Sequence, residues 1–335
     1  MTAQAHSHPY DQLDPHTLLN AIEQLGLECD GRVLALNSYE NRVFQVGLMD
    51  GSYVVAKFYR PGRWNEATLR EEHEFCLTLA AADIPAVAPL PDANGETLHQ
   101  FGGFQYAVYP RIAGRSPELD RPNDLRAIGR TLARMHAIGE LRSFKHRPTL
   151  SVRALGADSV EFLLGSDVIP RELQREYREA AEELLPLLEN AWEACEPLRR
   201  IRIHGDFHPG NVLWTSDGAA ILDFDDCRNG PAVQDLWMFL AGDRNDMLWQ
   251  LHHLLGGYRE FRAFPLSELP LIETLRSLRM VHYSAWLARR WDDPAFPRHF
   301  PWFGSFNYWR EQIENLRDQL RCLNDPPLEL IDFDE

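Results

Sequence analysis

Hydrophobic spacing changes period once along the 335 residues, and that change limits the class of fold open to the chain. Before residue 110 the apolar side chains come in short runs: "RVLAL" (32–36), "RVFQVGL" (42–48) and "SYVVAKFY" (52–59), with "MDGS" turning the last two into a hairpin. "ETLHQF" and "FQYAVYP" read as a further strand pair. Two helices interrupt the strands, one over 15–27 with Pro15 in its first turn, and one over Asn65–Ala82 with Leu69, Glu72, Phe75, Cys76 and Leu79 at helical spacing. After "RIAGRSPELDRP" the spacing becomes helical. Leu125, Ile128, Leu132 and Met135 mark one face of a helix over 122–138, and further helices read over 171–194, 232–240, 245–262, 267–290 and 305–322. The chain is therefore expected to be α+β, with a sheet-rich lobe over 1–110 and a larger, mainly helical lobe over 111–335.

Apolar residues make up 44% of the chain, enough to give each lobe a core. The net charge of −16, from 50 acidic against 34 basic residues, opposes a broad nucleic-acid or anionic-membrane surface, so neither partner is expected. An anionic substrate would need local cations. The five cysteines, Cys29, Cys76, Cys195, Cys227 and Cys322, have no paired spacing, which suits a reducing cytoplasm better than a disulfide framework or a zinc knuckle. The opening "MTAQAHSHPYDQLDPH" has neither a basic n-region nor an apolar core, and no later run is long enough to span a bilayer, so a cytoplasmic monomer is expected. His6, His8 and His16 read as a frayed polar terminus rather than a metal site.

Short strands, "IRIH", "NVLW" and "AAILDF", interrupt the helical part, and the first two flank "GDFHPG". In a straight strand His204, Asp206 and His208 would share a face and could cage a metal ion. Gly205, Pro209 and Gly210 are breakers, and they favour a turning loop that presents Asp206 to a hydroxyl and Asn211 to a cation. Twelve residues beyond Asn211, Asp223 ends an apolar strand, with Asp225 two positions later. Hard oxygen donors at a strand end suit Mg²⁺, so Asn211, Asp223 and Asp225 are the expected metal set. Lys57 lies in a strand with apolar neighbours and calls for a carboxylate partner; Glu72 is the first choice and Glu71 the second.

A strand lysine, a helix glutamate, "HGDFHPGN" and "DFD", in that order, resemble the protein-kinase-like fold, and within it the aminoglycoside phosphotransferase and choline kinase branch. "LNSYENRVFQV", "VVAKFYRPGRW", "RNGPAVQDLWMFL" and "DDPAFPRHFPWF" resemble a cytoplasmic Ser/Thr protein kinase of that branch that serves the bacterial stress response. The resemblance implies a two-lobed fold, ATP as co-substrate, Mg²⁺ as cofactor and a protein hydroxyl as acceptor. It also implies roles: Asp206 and Asp223 as catalytic residues, Lys57 and Glu72 positioning the α and β phosphates, and Ser38 at the position of the phosphate-covering loop. Adenine would meet the backbone around Tyr109, Pro110 and Arg111, and Asp235 would brace the catalytic loop. Two departures stand out. The nucleotide loop lacks a glycine-rich pattern, and "DFD" replaces "DFG" with no "APE" beyond it, which points away from the eukaryotic protein kinases.

The nearest competing reading is a small-molecule alcohol kinase, acting on a sugar, an amino alcohol or homoserine. A pseudokinase would be expected to have lost one of Lys57, Asp206, Asn211 and Asp223, all present here. A metallohydrolase would use His204, Asp206 and His208 instead. The aromatics from Trp286 to Trp309 read mainly as core, while "RRW" (289–291) and Arg298 offer cations to an acidic substrate or regulator.

Overall fold

A computed structural model describes residues 8–216 and 218–330; His6 lies outside them. The chain divides into two compact units, the described part of Met1–Ser116 with Leu213–Asp225, and Pro117–Val212 with the described residues from Asp226 onward.

The first unit is built on a five-stranded antiparallel sheet in the order β1-β2-β3-β5-β4, comprising β1 (Cys29–Ala35), β2 (Arg42–Leu48), β3 (Tyr53–Phe58), β4 (His99–Phe101) and β5 (Phe104–Pro110). One face is closed by α1 (Pro15–Glu23), whose Leu18, Ala21 and Ile22 pack with Val46, Phe58, Tyr106 and Val108. This helix is shorter than the 15–27 expected, because Gly26 turns the chain away at φ +80°. The crossing helix α2 (Glu66–Ala81) starts at Asn65, whose side chain accepts the Thr68 N–H at 2.9 Å. Its Leu69 joins Tyr59, Leu98 and Ala107 in a second cluster. The hairpin of β7 (Val212–Thr215) and β8 (Gly218–Ile221) belongs to this unit from Leu213 on. Val87 N donates to Ile221 O at 2.9 Å, Trp214 N to Arg115 O at 2.7 Å, and Phe224 meets Phe75 edge-on. The division read from sequence had put this segment with the helices; its hydrogen bonds tie it to the sheet-bearing unit.

The second unit is mainly helical, with α3 (Pro122–Gly139), α4 (Asp158–Gly165), α5 (Gln174–Ala194), α6 (Arg244–Tyr258), α7 (Leu271–Arg289), α8 (Ala295–His299) and α9 (Phe306–Cys322). Helices α3 and α6 cross so closely that a Cβ on Gly129 would lie 2.0 Å from Leu254 O, and one on Gly257 would lie 1.9 Å from Arg126 O. Strand β6 (Ile201–Ile203) pairs antiparallel with β9 (Arg228–Gly230), and the loop that carries His204, Asp206 and His208 leaves the end of β6. The expected helix over 232–240 is instead two 3₁₀ turns, Ala232–Asp235 and Trp237–Phe239. Side chains compete with helical bonding there: Val233 N donates to Glu268 Oε2 at 3.0 Å, while Gln234 and Asp235 reach back to the loop after β6. Among the described residues no helix is long and apolar enough to cross a membrane.

Candidate active site

Lys57 sits on β3, between β2 and β5; its neighbours Ala56 and Phe58 belong to the core under α1, so Lys57 points to the opposite face of the sheet, where it is buried as well. Three carboxylates surround the ammonium: Glu72 Oε1 at 3.3 Å, Asp223 Oδ1 at 3.1 Å and Asp225 Oδ1 at 3.3 Å. Burial pulls the Lys57 pKa down, but Asp223, Asp225 and Glu72 together outweigh it and hold the group well above the usual lysine value. Glu72 and Asp225 are themselves buried, whereas half of the Asp223 side chain is open to solvent. Asp223 adopts a left-handed backbone, φ +55°, a conformation that aspartate tolerates better than most residues. The left-handed step ends the extended run of β8 and starts the 3₁₀ turn Phe224–Asp226, so two acids two positions apart reach one lysine.

Arg63 makes a second ion pair to Asp225 and lies 3.8 Å from Glu40, contacts that its sequence position in a polar turn did not suggest. Behind the lysine, Tyr59 OH meets His73 Nε2 at 2.6 Å and Tyr109 OH at 2.9 Å. Burial raises the Tyr109 pKa well above its ordinary value, so the phenol stays protonated. Ser38 is half-buried on the link between β1 and β2; Glu71 is half-buried beside Glu72. Arg111 is exposed just past β5 and donates to Gln45 Oε1 at 3.1 Å.

The second unit holds Asp206 on a loop built from backbone donors. Gly205 has φ +84°, and a Cβ there would fall 2.3 Å from Asp226 O, so only glycine passes. The fully buried Asp235 accepts His204 N–H at 2.7 Å and Gly205 N–H at 2.8 Å, and lies 3.2 Å from His136 Nε2. Burial lowers the His136 pKa against the opposing pull of Asp235, leaving a neutral ring whose Nδ1 meets Tyr258 OH at 3.0 Å. Gln234 Nε2 donates to Gly205 O at 2.9 Å, and Glu268, pushed up to about 7 by burial, supports the same turn through Val233 N–H. His204 is fully buried, and its Nδ1 accepts the Asp206 N–H at 3.3 Å. Asp235→Ala would strip the partner from two backbone donors and a buried imidazole. It is expected to destabilise the protein by about 3–5 kcal/mol, the range for uncompensated buried charge or polar loss. Denaturant unfolding checks this, and a change below about 1 kcal/mol would remove Asp235 from the role of brace.

The Asp206 carboxylate faces Arg279 of α7 through Oδ1 and His208 Nε2 at 3.5 Å through Oδ2. Burial acts to raise its pKa; the His208 hydrogen bond and the Arg279 charge prevail and hold it well below the usual carboxylate range. Asn211 follows in the 3₁₀ turn Pro209–Asn211, and its Nδ2 donates to Asp206 O at 3.0 Å, which leaves the carboxamide oxygen as a donor atom for a cation. Arg279 was not legible in the sequence, 73 residues from its partner and with no motif around it.

The donor set decides what metal these residues fit. Among the described residues no three His, Cys, Asp or Glu side chains form a metal-holding group, so the cage of His204, Asp206 and His208 is not formed. His204 and His208 instead spend Nδ1 on backbone N–H groups. By type, the carboxylate oxygens of Asp223 and Asp225 and, in the other unit, the carboxamide oxygen of Asn211 are hard donors of the kind a divalent cation such as Mg²⁺ takes.

The family model described as "Phosphotransferase enzyme family" matches residues 32–264, which include Lys57, Glu72, Asp206, Asn211, Asp223, Asp225 and Asp235 but not Glu268 or Arg279. The chain belongs to that family. Within this phosphotransferase family, it is 41% identical over 321 residues to Stress response kinase A of Escherichia coli (strain K12), covering 96% of this chain and 97% of that protein. It is 40% identical, over the same shares of each chain, to the serine/threonine protein kinase RdoA of Salmonella typhimurium. Among solved structures, amicoumacin kinase hAmiN, in complex with AMP-PNP, Ca²⁺ and Ami, shares the fold at TM-score 0.71 and 18% identity, covering 95% of this chain and 96% of that one. A microcompartment-associated aminopropanol kinase does so at TM-score 0.67 and 17% identity, covering 92% and 95%. The chain is thus a phosphotransferase with a hydroxyl acceptor, on the two-lobed α+β fold of the protein-kinase-like proteins.

Proposed function

We propose that the protein is an ATP-dependent Ser/Thr protein kinase acting in a bacterial stress response. The observation that carries this reading is the 41% identity over nearly the whole length of Stress response kinase A. The geometry supports the roles. Lys57, kept charged and positioned by Glu72, binds the α and β phosphates; Ser38 stands in the phosphate-covering loop, and the backbone around Tyr109 and Arg111 holds adenine. Asp206, ionised and aimed by its loop, orients the acceptor hydroxyl and receives its proton. The bond from the γ phosphorus to the β–γ bridging oxygen breaks, a bond to the hydroxyl oxygen forms, and ADP leaves.

Asn211, Asp223 and Asp225 would hold Mg²⁺, which when bound neutralises charge on the phosphate oxygens. Catalysis is then mainly positioning and charge neutralisation. A cytoplasmic, monomeric enzyme fits this reading. The competing reading, a small-molecule alcohol kinase, is favoured by the names of fold neighbours such as the aminopropanol kinase.

Labelled ATP with Mg²⁺ separates the two. Transfer to the protein itself and to protein substrates is expected, with none to a panel of choline, homoserine and sugars. Label on the small alcohols alone would sink the protein-kinase reading.

A further inference from the structure

The chain carries 16 more acidic than basic residues, yet α7 departs from this balance. From Thr274 to Arg290 its sequence holds Arg276, Arg279, Arg289 and Arg290 and not one Asp or Glu. Arg276 is turned inward to Glu273 and the Trp237 ring. The outward face is formed by Arg279, Tyr283, Trp286, Arg289 and Arg290, at steps of three and four residues that keep them on one side of the helix. It begins at the Asp206 carboxylate, which Arg279 touches with its side chain 44% exposed. Tyr283 and Trp286 stack at 5.7 Å with their planes 20° apart, and Arg290 lies over the Trp286 ring at 5.3 Å. Trp286 is half-buried and also meets Phe296 and Phe300 edge-on, so this aromatic stack is anchored to the core and carries Arg290 against it.

Arg289 and Arg290 end the helix, where cations would be favoured by its dipole alone; Arg279, two to three turns earlier, has no such reason to be there. Two of the acids near this helix have cations of their own. Asp226 is paired with Arg228 at 3.1 Å, and Asp158 lies 3.5 Å from Arg153, while Arg289 donates to the Asp158 backbone oxygen. His282, on the same helix, records the balance: burial first, then the charges of Arg228, Arg289 and Arg290 against Asp226, lower its pKa to about 4.

We propose that this face of α7 is the acceptor-docking surface and that it selects a Ser/Thr segment carrying Asp or Glu beside the phosphorylated residue. The inference rests on the protein-kinase reading and names the substrate class within it. Distance fixes the range. From Arg279 to Arg289 the helix rises about 15 Å, which an extended peptide covers in about five residues. An acceptor hydroxyl at Asp206 therefore leaves the acidic positions within about five residues of it. The same face repels cationic acceptors.

The test uses the full chain and synthetic peptides with one Ser, flanked on either side by Glu, by Ala or by Lys. With Glu flanks kcat/KM is expected to exceed that with Lys flanks by about tenfold at low salt, as two or three exposed charge pairs allow, and the ratio should shrink as salt rises. Arg289→Glu and the double variant with Arg290→Glu should reduce or invert the ratio. Equal kcat/KM on Glu and Lys flanks in the unaltered enzyme, or a preference for Lys, overturns the proposal and leaves the protein-kinase reading intact. Label on small alcohols and on no peptide overturns both. Because the ratio is first read on the unaltered enzyme, a variant that fails to fold does not remove the test.

Discussion

Asp206→Asn is expected to lower kcat by about 10²–10⁴-fold, the range for removing a positioned general base, with little change in ATP affinity. The substitution keeps the shape of the side chain and leaves its support untouched. The loop is held by Asp235 through the His204 and Gly205 N–H groups and by Gln234 through Gly205 O, none of which needs the Asp206 carboxylate. What changes is the charge that Arg279 and His208 now stabilise, and with it the acceptor for the hydroxyl proton. The Arg279 pair is partly exposed, so its loss should cost no more than about 1 kcal/mol of stability. Steady-state kinetics beside ATP-dependent thermal protection measure the two effects separately. Turnover within a factor of two of the unaltered enzyme would take Asp206 out of the mechanism.

Lys57→Met is expected to damage folding and activity together. Its ammonium lies 3.1–3.3 Å from Asp223, Asp225 and Glu72, two of which are buried. Removing the cation takes away the buried ion pair that Glu72 makes at 3.3 Å, and breaking a buried pair from one side costs about 3–5 kcal/mol. Asp225 keeps Arg63 and Asp223 is half open to water, so Glu72 bears most of the loss. The double variant with Glu72→Gln should recover much of the stability and none of the activity. Denaturant unfolding of the single and double variants, read with kcat/KM for ATP, checks both halves. A single variant as stable as the unaltered protein would show that the three carboxylates do not depend on Lys57.

Local patterns carried much of the fold and part of the site. Apolar alternation located β2, β3 and β5, because strands with a buried face must alternate or run apolar. The apolar spacing of α2 placed Glu72, rather than Glu71, on its buried side, and the structure puts Glu72 beside Lys57. What stayed hidden depends on residues far apart in sequence. Arg279 finds Asp206, and Arg63 finds Asp225, across separations that leave no periodic trace. The segment 232–240 misled for a related reason. Its apolar spacing suits a helix, but its backbone and side chains are committed to Glu268 and to the loop after β6, partners a local reading does not contain.

The chain passes from one compact unit to the other after Ser116, returns after Val212 and leaves again after Asp225. Neither unit is therefore an uninterrupted stretch of gene. A fragment ending at Ser116 would carry Lys57 and Glu72 but lack Asp223 and Asp225, and it would also lose Ile221, Trp214 and Phe224, which bond or pack with Val87, Arg115 and Phe75. A recombination event that exchanged the opening segment alone would separate a lysine from its acids and a sheet from part of its support. Such a chain can diverge by substitution along its whole length, but it cannot trade its lysine-bearing unit as a cassette.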